Sequence, residues 1–276
     1  MRLTFPYQLE IIQQKILQQE ETLRAVAGLY ADAIQHGGLV HVYANGHSRV
    51  AVEELCIRMG ALTGFRAILT TGLTSFTDVI GFNGLRLNQF FEKVEKSGAE
   101  LLDEIDFGPH DTMLVVTATG TTAAAVDIAL EFSRRYPSLP LVAISCAEQS
   151  KNAPVKHSCG MNLWHIIEKA QHGFFIDNGM PVGDLSIDVN DATHHYRVCP
   201  LSSIGALTVV QSLNELTLKT LVERGVEHFV LQNMHLNNTE TNYESWLRDQ
   251  RKRYARATYN EAAVPPEVHL PVYDAQ

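Results

Sequence analysis

The sequence predicts an α/β domain with helices packed around a parallel β-sheet. Two stretches carry the prediction, because each sets a buried-type strand against a helix across a short polar turn: LVHVYANGHSRVAVEELCIRMG, from Leu39, and DTMLVVTATGTTAAAVDIALEFSRR, from Asp111. The third observation is LPLVAIS, Leu139 to Ser145, a near-continuous apolar run of the kind found in a parallel strand covered on both faces. Strands that alternate with helices in this way point to a parallel sheet.

Each element follows in order. From Gln8 to Gln35 the apolar positions Ile11, Ile12, Ile16, Leu17, Leu23, Val26, Ala27, Tyr30 and Ile34 approximate helical spacing, which predicts one or two long amphipathic helices. Leu39 to Tyr43 reads as a strand and Asn45 to Ser48 as its turn, with a helix from Arg49 to near Gly60. Phe65 to Leu69 reads as a second strand, Thr70 to Gly84 as a surface loop, and Phe90 to Ile105 as a connecting helix. The GPHD turn ending at Asp111 leads into the strand Met113 to Val116, and the alanine-rich run from Ala123 is a strong helix former. After Leu139 to Ser145 come a polar, turn-rich segment, Ser150 to Met161, and a short strand, Gly173 to Ile176, with DNGMPVGD behind it. Leu201 to Glu223 is a long helical pattern with Gly225 as its C-cap. Beyond Asn237 the chain turns polar and then proline-bearing, which predicts a helix over Tyr243 to Ala257 and an extended tail. The division expected is a single domain over 1–237, leading helices included, and a C-terminal helix and tail over 238–276.

Composition narrows the function classes. The 276 residues are 45% hydrophobic, enough for a substantial core, and carry a formal net charge of −9. Nucleic acid is not the expected partner, since its phosphates demand a basic face; the one basic stretch, Arg248 to Arg256, reads as a solvated helix face or an intersubunit contact. Cys56, Cys146, Cys159 and Cys199 show no CxxC spacing, which fits reduced thiols in a cytoplasmic protein. The N-terminus lacks the apolar run of a signal peptide, and no stretch approaches the roughly 18 apolar residues of a membrane span, so no membrane partner is expected.

The two strand-to-helix turns are the candidate ligand site. A helix that starts beside a glycine offers free backbone N–H groups and the positive end of its dipole, and clustered hydroxyls there suit a phosphate. Asn45, Gly46, His47 and Ser48 form one turn; Thr117, Thr119, Gly120, Thr121 and Thr122 form the other. Serine and threonine are also ordinary helix N-caps, but two such turns after two buried strands fit a ligand held at the carboxyl ends of an open sheet. Neither turn is a Walker A or GxGxxG motif, so no nucleotide cofactor is expected.

Four segments, NGHSRVAVEELCIRMGAL, TATGTTAAAVDIALEFSRR, SKNAPVKHSCGMNLWHI and DNGMPVGD, followed by the long helix ending LVERGVE, resemble the sugar isomerase (SIS) domain. The resemblance runs from about residue 8 to residue 235 and is closest to the bacterial phosphoheptose-isomerase-like, phosphosugar-binding branch. It implies a flavodoxin-like three-layer sandwich around a five-stranded parallel sheet, a phosphorylated sugar as ligand, and a homodimer or homotetramer with sites near subunit contacts. The family's phosphate loop, Ser-x-Ser-Gly-x-Ser/Thr, is matched here by Thr117 to Thr122, which keeps the hydroxyls. Its Gly-x-Gly-His-Ser loop is matched at Gly46, His47 and Ser48, with Ala44 in place of the first glycine.

Isomerisation of a sugar phosphate needs a base beside the carbon next to the carbonyl and an acid for the oxygen. Glu54, six residues after Ser48 on the following helix and next to Glu53, is the expected base, with Glu215 on the late helix as the alternative the resemblance suggests. His157, in the VKHSCG segment, is the expected proton carrier. Lys151, Lys156, Asp184 and Ser202, with Asp177, Asn178 and Ser203, are candidate contacts for phosphate or sugar hydroxyls. Among the 12 histidines, the adjacent His194 and His195 point apart on a strand, and the late helix lacks the histidine a zinc-dependent isomerase of this kind needs; no metal is expected. Two other readings stay open: an etherase or lyase acting on N-acetylmuramic acid 6-phosphate, and a phosphosugar-sensing module without catalysis.

Overall fold

The computed structural model describes residues 3–56, 58–70, 89–233 and 240–258. Five strands, β1 (Val40–Ala44), β2 (Phe65–Ile68), β3 (Thr112–Val116), β4 (Leu141–Ser145) and β5 (Gly173–Asp177), all pair in parallel. Their order is β2-β1-β3-β4-β5. The chain builds outward from β1 to β2, then crosses back to lay β3, β4 and β5 on the other side. The strand order therefore reverses between β1 and β3, and an open sheet leaves a crevice at the carboxyl ends of the strands at such a point. The two turns singled out in the sequence follow these two strands.

Helices cover both faces, as the apolar strands require. Alternate strand residues divide between the layers: Val40, Val42, Ala44, Leu114, Val116, Val142 and Ile144 pack against α1 (Phe5–Leu17), α2 (Glu20–Gln35), α3 (Arg49–Cys56) and α8 (Ser202–Glu223). Tyr43, Met113, Val115, Leu141 and Ala143 pack on the opposite face against α4 (Ser97–Asp103), α5 (Ala123–Arg135) and α7 (Leu163–Lys169). Every residue of β1, β3 and β4 is buried, so the period-2 alternation is between two apolar layers rather than between core and water.

The structure corrects the sequence reading in four places. The single helix expected over Phe90 to Ile105 is broken: Lys96 adopts a left-handed conformation with φ 74°, and α4 begins only at Ser97. The break lets Gly98 lie against the α5 backbone at Asp127 and Ile128, where a side chain would collide. The segment expected to be turns contains the end of α6 (Ala147–Asn152), and α7 begins at Leu163 behind Asn162, whose N–H donates to the His165 ring; both helices are too short to show a period. Behind DNGMPVGD stands an antiparallel hairpin, β6 (Leu185–Asn190) with β7 (His195–Pro200), that the sequence reading did not contain. His195 opens β7, whereas His194 lies in the turn, bonded to Asp191.

The basic stretch is the fourth correction. It lies on α9 (Glu240–Thr258), and two of its arginines point into the protein: Arg253 donates to the Ile34 and Gly38 carbonyls, and Arg256 pairs with the buried Asp111. Trp246, which donates to the Ala61 carbonyl, and Tyr254, which donates to the Phe65 carbonyl, complete the attachment at the amino ends of the strands. Most of the expected Thr70 to Gly84 loop and the tail beyond Thr258 lie outside the described residues. Among the described residues no helix is long and apolar enough to cross a membrane.

Candidate functional site

The two turns meet. Asn45, Gly46, His47 and Ser48 behind β1 and Thr117, Thr119 and Thr122 behind β3 line one cavity of about 340 Å³, closed further by Glu92, Asp184, Ser202 and Ser203. No lysine or arginine is among its described lining residues. What it presents to a ligand instead is helix starts. A 3₁₀ turn, Gly46–Ser48, runs straight into α3; α5 begins after Thr122; α8 begins at Ser202. Three helix amino termini directed at one cavity suit an anion.

The threonine loop is held by its surroundings. Gly120 has φ 68°, and a side chain there would collide with Ser150, whose hydroxyl is itself fixed by the Trp164 N–H at 2.9 Å. The Ala118 carbonyl accepts from the Cys146 N–H and from the Ser145 hydroxyl, and the Gly120 carbonyl accepts from the Leu163 N–H. Within this frame the Thr119 and Thr121 hydroxyls are bonded to each other at 2.9 Å. Thr122 is the N-cap residue of α5, yet its hydroxyl makes no capping bond and has no partner among the described residues. The hydroxyls are therefore positioned by backbone contacts while retaining capacity for a ligand.

On the first turn, Gly46 has φ 58°, and a side chain there would stand 2.6 Å from the Glu92 carboxylate. Glycine suits the left-handed conformation, and the close approach brings the Glu92 carboxylate against the first turn. Asp184, with φ 70°, accepts from the Leu201 and Ser202 N–H groups at 2.8 and 2.6 Å and from the Ser202 hydroxyl at 2.8 Å. Its charge is spent on the start of α8, so it shapes the cavity wall and fixes Ser202 there.

A second cavity, about 520 Å³, adjoins the first across Glu92 and Thr122 and is lined in addition by Gln89, Lys93, Glu95, Thr121, Lys156 and His157. His157 is buried and its ring is committed at both nitrogens. Nδ1 accepts the Cys159 N–H at 3.1 Å, so Nε2 carries the proton and donates to Asp127 at 2.8 Å. The ring clips the 153–161 segment to α5, which leaves no free nitrogen for the proton transfer expected of it. Glu95 is likewise engaged, by the Ser158 N–H and hydroxyl.

The expected bases lie elsewhere. Glu54 pairs with Arg58 at 2.5 Å and meets Gln211 at 3.5 Å, and Glu215 pairs with Lys219 on the exposed side of α8; neither lines either cavity. Glu53 pairs with Arg49. Lys151 sits on α6 with its ammonium 5.2 Å from the centre of the Trp164 ring, outside both linings, whereas Lys156 faces the second cavity. Asp177 accepts from the Ala147 N–H, and Asn178 bonds the Met180 N–H and the Ala118 carbonyl, so both shape the turn rather than line the cavity. Among the described residues no group of three or more His, Cys, Asp or Glu is arranged to hold a metal ion.

Glu92 is what sequence reasoning missed. It lines both cavities, and burial raises its carboxyl above the ordinary range against the lowering effect of neighbouring Lys93. It was hidden inside a segment read as one helix. The signal that bears on it is EKVEKSG: two acids beside a Ser-Gly pair that breaks the helical run.

Residues 6–144 match the family model of the SIS domain. A curated relative, the UPF0309 protein GK1441 of Geobacillus kaustophilus, is 21% identical over 235 residues, which is 85% of this chain and 88% of the relative. Among solved structures, phosphoheptose isomerase GmhA from Neisseria gonorrhoeae aligns with a TM-score of 0.46 and 10% identity over 78% of this chain and 95% of that one. The Vibrio vulnificus NanR protein complexed with ManNAc-6P aligns with a TM-score of 0.40 and 12% identity over 90% of this chain and 66% of that one.

Proposed function

Because this chain belongs to the SIS domain family, we propose that the cavity between its two turns binds a phosphorylated sugar or amino sugar and that the protein isomerises it by proton transfer. The observation that carries the proposal is the convergence of Ser48, Thr117, Thr119 and Thr122 with three helix starts on one cavity at the strand-order reversal. The phosphate is met by the hydroxyls of the threonine loop and the N–H groups at the start of α5, whose dipole favours its charge. The sugar extends towards Glu92, His47 and the start of α8, where hydroxyl partners are available. Self-assembly belongs to the same proposal. It is supported by the hairpin, which turns Leu185, Ile187, Val189, Tyr196, Val198 and Pro200 to one face and leaves Val189, Tyr196 and Val198 39–49% exposed.

The experiment is thermal unfolding against hexose, heptose and amino-sugar phosphates with their unphosphorylated counterparts, since a bound ligand raises apparent stability by mass action. A shift with one phosphosugar, lost in its unphosphorylated form and in the Thr119→Ala variant, is expected. An unchanged shift in Thr119→Ala overturns the threonine loop as the phosphate site. Binding without proton exchange into the bound sugar overturns the isomerase reading and leaves a sensor.

A further inference from the structure

We infer that Glu92, on the wall shared by the two cavities, is the carboxylate that moves the proton between the sugar carbons. The inference rests on the phosphosugar-isomerase reading and supplies its base. It follows from what occupies the carboxylates near the site among the described residues. Asp184 is engaged by three donors at the start of α8 and Glu95 by the Ser158 N–H and hydroxyl, and Asp127, bonded to the His157 ring at one oxygen, lines neither cavity. Glu54 and Glu215 are ion-paired outside both cavities. Glu92 alone among these accepts no hydrogen bond at its carboxylate from a described residue, and it faces both cavities. A carboxylate kept partly out of water and without a protein donor is poised to take and return a proton. Its carboxyl also overhangs Gly46 in the first turn, while its backbone carbonyl accepts from the Ala124 N–H at the start of α5, so Glu92 stands between the two turns.

The step balances without a co-reactant. With the phosphate on the threonine loop and the sugar in its open-chain aldehyde form, the Glu92 carboxylate takes the proton from C2. The C2–H electron pair forms the C1–C2 double bond of an enediolate, and the carbonyl electron pair moves to O1. Glu92 then returns a proton to C1 as the O2–H bond yields its proton to O1 and C2 becomes the carbonyl. C1 is reduced, C2 is oxidised, and the net composition is unchanged.

Two measurements test this. Glu92→Gln keeps shape and removes the base, so solvent deuterium entry at C2, followed by NMR, is expected to fall at least about 100-fold, the low end of what a general base contributes, while the phosphosugar thermal shift is retained. Exchange within threefold of the unaltered protein overturns the inference, as does loss of the thermal shift together with exchange. The second measurement needs no turnover: 1,2-anhydrohexitol 6-phosphate carries an epoxide at the reacting carbons, and attack by a carboxylate opens it to an ester identifiable by peptide mass spectrometry. Esterification at Glu92, suppressed by inorganic phosphate, is expected. An ester on Glu54 or another carboxylate, or none at Glu92, overturns the assignment. Esterification at Glu92 in a protein that exchanges no sugar proton overturns catalysis by isomerisation while leaving Glu92 as the group beside the bound sugar.

Discussion

Replacing Asp111 with alanine isolates what holds the far end of the sheet together. Asp111 is fully buried and accepts the Leu39 N–H at 2.8 Å, the Gly108 N–H at 2.8 Å and His41 Nε2 at 3.0 Å. Arg66 lies 3.3 Å from His41 Nδ1 as a donor, which leaves the ring proton on Nε2 and directed at Asp111. Arg256 adds a two-pronged contact to the carboxylate at 2.7 and 3.0 Å. Alanine leaves the Leu39 N–H and the His41 ring without partners in the interior, at about 1–3 kcal/mol each. Arg256 is 36% exposed and can rehydrate, so its lost ion pair adds no more than about 1 kcal/mol. The expected loss is about 3–5 kcal/mol, read as a lower urea midpoint with unchanged slope. Arg256→Ala alone should cost about 1 kcal/mol. A loss below about 1 kcal/mol for Asp111→Ala would refute the reasoning, because it would mean that water replaces the carboxylate at both donors. Phosphosugar binding should survive, since the cluster lies at the strand ends opposite the turns.

Two other outcomes are expected. Gly120→Ala should destabilise the fold by about 2–4 kcal/mol, as the left-handed φ is unfavourable and the new methyl meets Ser150; a melting temperature within 1–2 °C of the unaltered protein would contradict the packing described. Stability should also fall as the pH is lowered below about 6.5, the ordinary imidazole value. Burial lowers the His41 pKa, against the raising effect of Asp111, so the unfolded chain takes up a proton that the folded one refuses. Burial pushes Asp111 up, but the His41, Gly108 and Leu39 hydrogen bonds win and hold it below the usual carboxylate range; its contribution is lost only as the pH falls through that depressed value. A melting temperature flat between pH 7.5 and 5 would show that His41 is not the group that couples folding to protons.

The strands and the two turns were legible because they rest on local rules. Five apolar runs alternating with helical patterns leave few arrangements, and the two glycine-bearing turns belong where the strand order reverses. What stayed hidden depends on distant partners. Glu54 reads well as a base by distance from Ser48, but its side chain meets Arg58 one helical turn on, a competition that the sequence contains and distance alone does not settle. His157 reads as a loop histidine until Asp127, thirty residues earlier, claims its ring. Glu92 enters the site because the helical run stops at Phe91 and resumes only at Ser97, where Gly98 lies against α5. The hairpin is weakly signalled because its apolar alternation, Leu185, Ile187 and Val189 against Tyr196, Val198 and Pro200, is short and follows directly on a turn-rich segment.

The register of β1 makes the anion cavity a late product of folding. Val40 pairs with Phe65 on one side and with Thr112 on the other, 25 and 72 residues along the chain. Closing the longer loop costs about 1 kcal/mol more in chain entropy, so the outer pair can form early whereas the inner one waits. Only the inner pair brings Ala44 beside Val116 and hence the two turns together. A nascent chain halted before residue 112 would carry the first turn without its counterpart, and acquisition of phosphosugar affinity would time the arrival of β3.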